Sequence, residues 1–448
     1  MHGVFEPGRR LLTTGLVLIV TFVAFESMAV ATVMPLVEDD LGALGLYGWV
    51  FSGFFLGSLV GVVVAATAGD RMRPVVPFTI GLTLFSVGLL VGGLAPSMLV
   101  LVVGRVLQGL GAGVMPATSY LCIGRAYSDA QRPTMFALIS SAWMVPSVVG
   151  PVVAAWVGAS IGWRWVFLAL LPLCAVIGVV ALLGVRTVAA PETPSSERNV
   201  LNAFRIAIGA GLVLFGLGGH GPILTPVALV FGGLLAVPAF RRLTPVGTLR
   251  AAPGLPATVA VRGLLNLAFF AADSWVPFAM TSVRGLPTVW GGLALTAGAI
   301  LWTAGSWLQA RWIRVVGADV LVRRGMVLIA IGAAGMVLIL LPAVPAQLAL
   351  ALWAVAGLGM GLAYSPLAVV AMEAAERGGE GRVTAALQMS DMLGVALGTG
   401  IAGAIVAGLE SLTGSTTTGL VTTFLVAGTV GVGAALASFR VPPVRELA

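Results

Sequence analysis

Fourteen apolar runs long enough to cross a bilayer, parted by short polar loops, leave this chain one kind of fold. Backbone N–H and C=O groups find no water in hydrocarbon, so a spanning segment must satisfy its own, and about 20 apolar residues do so as an α-helix. The runs lie near 12–37, 47–68, 75–95, 98–122, 134–158, 163–185, 203–219, 224–240, 257–281, 287–310, 323–342, 346–372, 383–407 and 419–438. Charged residues make up 9% of the chain and hydrophobic ones 59%, and the mean hydropathy is +1.07. A soluble globular chain does not have that composition. The expected class is therefore an all-α polytopic membrane protein. The first run exceeds the apolar core of a signal peptide and is expected to remain as a helix.

Arginine placement orients the spans. All 24 basic residues are arginine. With the N-terminus inside, Arg164 and Arg284 alone fall in outer loops and Arg105 falls within a span. The other 21 fall in inner loops and tails, Arg71, Arg205 and Arg262 among them. Cytoplasmic loops carry such an excess, so both termini are expected in the cytoplasm of a cell-membrane protein. The basic residues are spread through loops, which argues against a nucleic-acid surface despite a pI near 10.6. The lack of lysine excludes a phosphate-loop lysine and a Schiff base. His2 and His220 form no metal cluster, and Cys122 and Cys174 lie in apolar runs as small core residues. No metal, no cofactor and no enzyme activity are expected.

Arg105 sits in the apolar stretch Leu101 to Gly113. A charge at that depth costs about 2.5–3.5 kcal/mol on insertion scales, so it calls for a partner or a pathway. At helical spacing Arg105 and Gln108 share a face, while Gly109 and Gly113 form a small-xxx-small pair that admits another helix closely. The chain then nearly repeats itself. Gly357 to Gly361 stands 248 positions after Gly109 to Gly113, and Gly398 stands 248 after Gly150. Internal duplication is the usual architecture of secondary transporters. Two six-helix bundles are expected at 1–186 and 257–448. Between them come a cytoplasmic linker at 187–202, rich in Pro and Ser, an extra two-helix hairpin at 203–242, and a cytoplasmic loop at 243–256.

Three acids also fall inside spans: Glu26, Asp273 and Asp391. Glu26 and Asp273 are 247 apart, one short of the repeat. At 1.5 Å per residue, Glu26 lies ~16 Å and Arg105 ~10 Å from the outer ends of their helices, so the two can meet. Each acid could couple protons, or could be a hydrogen-bonded group that only fixes helix packing. Asp391 lies toward the cytoplasmic side.

Several stretches resemble the major facilitator superfamily, and within it the fourteen-helix drug:proton antiporters. Arg105-Val-Leu-Gln108-Gly109 is similar to the family's R-x-x-Q-G motif. Gly150-Pro151 is similar to the antiporter motif G-x-x-x-G-P-x-x-G-G, with Pro146, Ala154 and Ala155 in place of three glycines. Glu26, nine residues before Pro35, resembles an acid-to-proline pattern of the first span that usually has Asp. Asp70-Arg71 keeps part of the D-R-x-G-R loop signature, with Arg73 and Pro74 where Gly and Arg are expected. Gly162 to Phe167 is like the phrase opening the sixth span.

The resemblance implies a transporter of the major facilitator fold that exports hydrophobic or cationic small molecules in exchange for protons. Glu26, Arg105, Asp273 and Asp391 are the expected coupling residues. Asp70, Arg71, Gly109, Gly113, Gly150 and Pro151 are expected to serve conformational change. Gln108, Trp143, Asn266, Phe270, Trp275 and Met389 are expected to line the substrate path, where aromatic and thioether surfaces suit bulky apolar compounds. Its partners are then the lipid bilayer, protons and the substrate, with the chain acting as a monomer. A uniporter, a proton symporter for a small organic solute, and a non-transporting scaffold are the alternatives; four ionisable groups in the bilayer weigh against the last.

Overall fold

The computed structural model describes residues 3–6, 8–69, 71–128, 130–190, 200–375 and 380–442. Asp70 and residues 191–199 of the expected linker lie outside the described residues. The helices in chain order are α1 (Arg10–Leu41), α2 (Tyr47–Gly69), α3 (Val75–Gly93), α4 (Met98–Ala126), α5 (Arg132–Ser141), α6 (Met144–Ile161), α7 (Arg164–Leu168), α8 (Leu170–Val185), α9 (Val200–Leu217), α10 (Leu224–Leu243), α11 (Leu255–Asp273), α12 (Val276–Phe278), α13 (Thr288–Val316), α14 (Ala318–Gly335), α15 (Leu348–Glu373), α16 (Glu380–Thr413) and α17 (Thr416–Ala437). Among the described residues they make 14 stretches long and apolar enough to cross a membrane, each overlapping one of the fourteen apolar runs.

There are more helices than spans because three spans are broken, which the unbroken apolar runs did not announce. A proline has no N–H for the carbonyl four residues back, and its ring crowds that carbonyl. Ala142, just past the end of α5, is four residues before Pro146; Leu168, which ends α7, is four before Pro172; Asp273, which ends α11, is four before Pro277. After Pro277 the chain turns through a π-helical segment at Ala279–Val283. Asp273 therefore sits at an interruption within a span.

The chain forms two compact units. The first holds Met1–Gly42 and Gly53–Ala207, the second Ala43–Ser52 and Ile208–Ala448. In the first, α4 packs along α3, and α1 packs along α4, α6 and α8; in the second, α15 packs along α13 and α14, and α11 along α16 and α17.

The same close approaches recur in both units. A Cβ added at Gly111 of α4 would lie 2.4 Å from the Gly81 carbonyl oxygen of α3, and one at Gly359 of α15 would lie 2.4 Å from that of Gly325 of α14. A Cβ at Gly61 of α2 would meet the Leu110 carbonyl at 2.3 Å; at Gly305 of α13 it would meet that of Leu358 at 2.6 Å. Gly88 abuts Gln108 as Gly332 abuts Ala356. In every pair α4 and α15 match at the 248-residue offset, so the glycine repeat is one of three-dimensional packing. The Gly150 and Gly398 match does not extend to packing: Gly150 faces Phe25 and Met28, whereas Gly398 faces Leu267.

One loop assignment is corrected. Arg262 is not a loop residue but lies in the second turn of α11, 5% exposed and paired with Asp391. Arg164 and Arg284, the two arginines expected in outer loops, are both bound by protein. Arg164 pairs with Asp40 at 2.5 Å and donates to the Ala95 carbonyl at 3.2 Å. Arg284 donates to the carbonyls of Ile339, Leu341 and Val344.

Candidate functional site

In the first unit, the buried face of α1 that carries Phe22, Val23, Val30 and Val33 also carries Glu26. Glu26 is fully buried and Arg105 of α4 is 2% exposed. Arg105 Nη1 donates to Glu26 Oε1 and, at 3.2 Å, to Gln108 Oε1; Gln108 Nε2 donates to Glu26 Oε1 at 3.0 Å. The spacing of Arg105 and Gln108, one helical turn apart, lets both reach the same carboxylate.

Glycines shape the site. A Cβ at Gly109 would stand 2.0 Å from the Phe54 carbonyl oxygen, and one at Gly113 would stand 2.2 Å from that of Ser58. Without them α2 and α4 touch along their backbones, which brings the Phe54 ring over the Arg105 guanidinium at 4.1 Å. Gly88 of α3 leaves room for the Gln108 side chain in the same way. Guanidinium, carboxylate, amide and ring thus form one cluster. Both bonds to Glu26 fall on Oε1, and Glu26 Oε2 has no hydrogen-bond partner among the described residues. Removing one partner of such a pair strands the other charge, at a cost of about 3–5 kcal/mol.

In the second unit, Arg262 of α11 grips Asp391 of α16 through two parallel bonds, Nε to Oδ1 at 2.6 Å and Nη2 to Oδ2 at 3.0 Å. Asn266, one turn on, donates to Asp391 Oδ1 at 2.7 Å, and the Tyr364 hydroxyl of α15 donates to Oδ2 at 3.1 Å. Arg262 also donates to the Tyr364 carbonyl and lies over its ring, 3.3 Å from the centroid. Asp391 is thus saturated, tying three helices together.

Asp273 joins neither its unit's ion pair nor Asn266. It accepts from the indole N–H of Trp353 in α15, at 3.0 Å. Trp353 packs on Phe269 with ring centroids 4.9 Å apart, and Phe269 meets Trp302 at 5.6 Å.

The remaining expected residues scatter. Phe270 is half-buried beside Phe269. Trp275 is fully buried and stacks on Tyr47 at 4.3 Å, so a neighbouring ring takes one of its faces. Met389 is buried, and Trp143, 44% exposed, stands just before α6. Gly150 and Pro151 are buried in α6. Arg71 is exposed with no side-chain hydrogen bond to the described residues; Arg73 donates to the Arg186 carbonyl at 2.6 Å and Arg125 to the Gly69 carbonyl at 2.8 Å across the same end of the unit.

Sequence reasoning missed Phe54, Arg262, Trp353 and Tyr364. Arg262 and Asn266 sit at i and i+4 within an apolar run, a pattern legible beforehand. Trp353 stands 248 residues after Arg105, so extending the repeat by four residues would have found it.

Three kinds of comparison bear on this arrangement. The family model described as Major Facilitator Superfamily matches residues 16–399. The chain is 25% identical over 415 residues to the multidrug transporter protein MdtP of Bacillus subtilis (strain 168), an alignment covering 89% of this chain and 76% of that protein. It is 28% identical over 450 aligned positions to a relative named as a probable multidrug-efflux transporter of Mycobacterium tuberculosis (strain ATCC 25618 / H37Rv), covering 94% and 93%. A solved structure of a bacterial homolog to the human lysosomal transporter Spinster, inward-facing and unoccupied, shares the fold with a TM-score of 0.68 at 17% identity, over 97% of this chain and 98% of that one. An auto-inhibited peptide transporter of the POT family gives 0.69 at 14%, over 98% of each chain. The chain belongs to the major facilitator superfamily and is a membrane transporter, not an enzyme.

Proposed function

We propose that this transporter exports hydrophobic or cationic small molecules in exchange for protons by alternating access. It does so in the cell membrane, as a monomer with both termini in the cytoplasm. The observation that carries this reading is the buried cluster of Glu26, Arg105 and Gln108, in which one carboxylate oxygen is left unbonded. A carboxyl in a low-dielectric site holds a proton more readily, and a guanidinium beside it favours release. A group balanced between those two influences changes charge state when its surroundings change, as they do when a transporter alternates. Glu26, Arg105, Asp273 and Asp391 remain the coupling candidates. Glu26 has the open oxygen that a proton needs, whereas Asp391 has both of its oxygens bonded.

Export of drugs is supported by the names of two relatives that align over most of this chain. The small-residue seams of Gly109 and Gly113 suit helices that slide against one another, and Pro151 marks a place where α6 lacks a backbone hydrogen bond. The driving force is adequate: one proton entering across 100 mV yields about 2.3 kcal/mol, or a gradient of roughly fiftyfold for a neutral compound. The reading is tested by loading cells that express the protein with ethidium and following its efflux. Efflux that stops when a protonophore collapses the proton gradient is the expected result. Efflux unaffected by the protonophore would contradict exchange for protons.

A further inference from the structure

The duplicated packing lets the two units be compared position by position. At the offset that superposes Gly111 on Gly359 and Leu110 on Leu358, Arg105 corresponds to Trp353 and Gln108 to Ala356. On the neighbouring helix Glu26 corresponds to Asp273 within one residue. The acid is retained in both units, and in both it accepts a hydrogen bond from the residue at the Arg105/Trp353 position. In the first unit that donor is a cation backed by a glutamine. In the second it is a neutral indole, backed by an alanine that cannot bond. Glu26 therefore has its counter-charge in contact, while Asp273 has a neutral donor and no ion pair among the described residues.

The surroundings of Asp273 differ in the same direction. Glu26 is fully buried; Asp273, at the helix end set by Pro277, keeps part of its surface open. Trp353, whose indole bonds Asp273, packs on Phe269, and Phe269 in turn meets Trp302. The other guanidinium on α11, that of Arg262, is three turns away and committed to Asp391 and Tyr364. A partly exposed carboxylate beside an aromatic cluster, with no cation paired to it among the described residues, matches the chemistry that takes a bulky organic cation: charge opposite charge, with ring faces against the apolar substituents.

Building on the transport reading above, we propose that Asp273 receives the charged centre of a lipophilic cation, and that Trp353 is the residue that determines this specificity. By holding the position that Arg105 holds in the first unit, Trp353 orients the carboxylate without neutralising it. The units thus divide the work. The first carries a self-compensated acid whose charge changes with protons, and the second carries an uncompensated acid whose charge is met by substrate.

The test is binding of radiolabelled tetraphenylphosphonium to the purified full chain, with the neutral triphenylphosphine oxide as the companion probe. Asp273→Asn removes the charge at constant shape. Trp353→Arg grafts the first unit's counter-charge onto the second. Each is expected to weaken tetraphenylphosphonium binding tenfold or more, and Asp273→Asn should weaken it at least fivefold more than it weakens binding of the neutral probe, whose retention also shows that the variant is folded. Trp353→Phe, which keeps a ring and no charge, should retain the cation within a few fold. Unchanged cation binding in Asp273→Asn, an equal loss of both probes in Asp273→Asn, or no cation binding by wild type would each overturn the assignment. The assay needs no proton gradient, so a wild-type protein that binds the cation but fails to exchange it for protons would contradict the antiport reading and leave this one standing.

Discussion

Trp353 stands in α15 where Arg105 stands in α4, and each donates a hydrogen bond to the acid of its own unit, Asp273 or Glu26. One duplicated framework thus supports two different electrostatic situations. In the first unit that donor is a cation; in the second it is a neutral indole.

The first unit's pair should behave as one object. Arg105→Ala strands Glu26 and is expected to destabilise the protein by about 3–5 kcal/mol. Arg105→Met with Glu26→Gln removes both charges and should recover most of that loss. Thermal unfolding of the purified variants measures it, and a double variant no more stable than Arg105→Ala would contradict the pairing.

The glycine seams make a symmetric prediction. A methyl at Gly111 or at Gly359 meets a neighbouring carbonyl oxygen at 2.4 Å in either unit. Gly111→Ala and Gly359→Ala should each cost about 1–3 kcal/mol through overpacking, to similar extents. By contrast Gly150→Ala, whose nearest neighbour is the Met28 Cβ at 3.4 Å, should be tolerated. The order of unfolding temperatures checks the claim.

How much of this was legible beforehand depended on the kind of signal. The fourteen spans follow from apolar length, because a bilayer leaves a polar backbone no alternative to the helix. Glu26 and Arg105 stood out because charge within an apolar run is costly. The breaks at Ala142, Leu168 and Asp273 were less visible: a proline inside a spanning helix is tolerated at Pro35, Pro116, Pro238 and Pro366 yet ends the helix at Pro146, Pro172 and Pro277, a difference decided by neighbours distant in sequence. Arg262 was assigned to a loop because it lies near the start of its span, and only the fold brings Asp391 and Tyr364 to it. Trp353 looked like any tryptophan in an apolar run until its register against Arg105 could be read.

Arg262 and Asp391 should couple strongly. Asp391→Asn leaves a buried guanidinium without its anion, and Arg262→Met leaves the converse. Each single change is expected to cost about 3–5 kcal/mol, and a double-mutant cycle should show a coupling in the upper part of the 0.5–3 kcal/mol range for contacting residues. Additive losses would mean that the two residues act independently.

The pair of Arg164 with Asp40 gives the contrast. Its side chains are 40% and 47% exposed, and exposed pairs contribute about 0–1 kcal/mol. Asp40→Asn should therefore shift the unfolding temperature only slightly, and less in high salt. A shift as large as that of Arg105→Ala would show that this contact is not an ordinary surface pair.

The central claim is that substrate movement is tied to proton movement through Glu26. Lumenal pH in inside-out vesicles carrying the protein, followed with a fluorescent dye after a proton gradient is set and ethidium is added, tests it most directly. The account predicts substrate-dependent alkalinisation of the lumen with the wild-type protein and none with Glu26→Gln, provided the variant is inserted at the same level. Alkalinisation of equal size from Glu26→Gln, or none from the wild type, would contradict it.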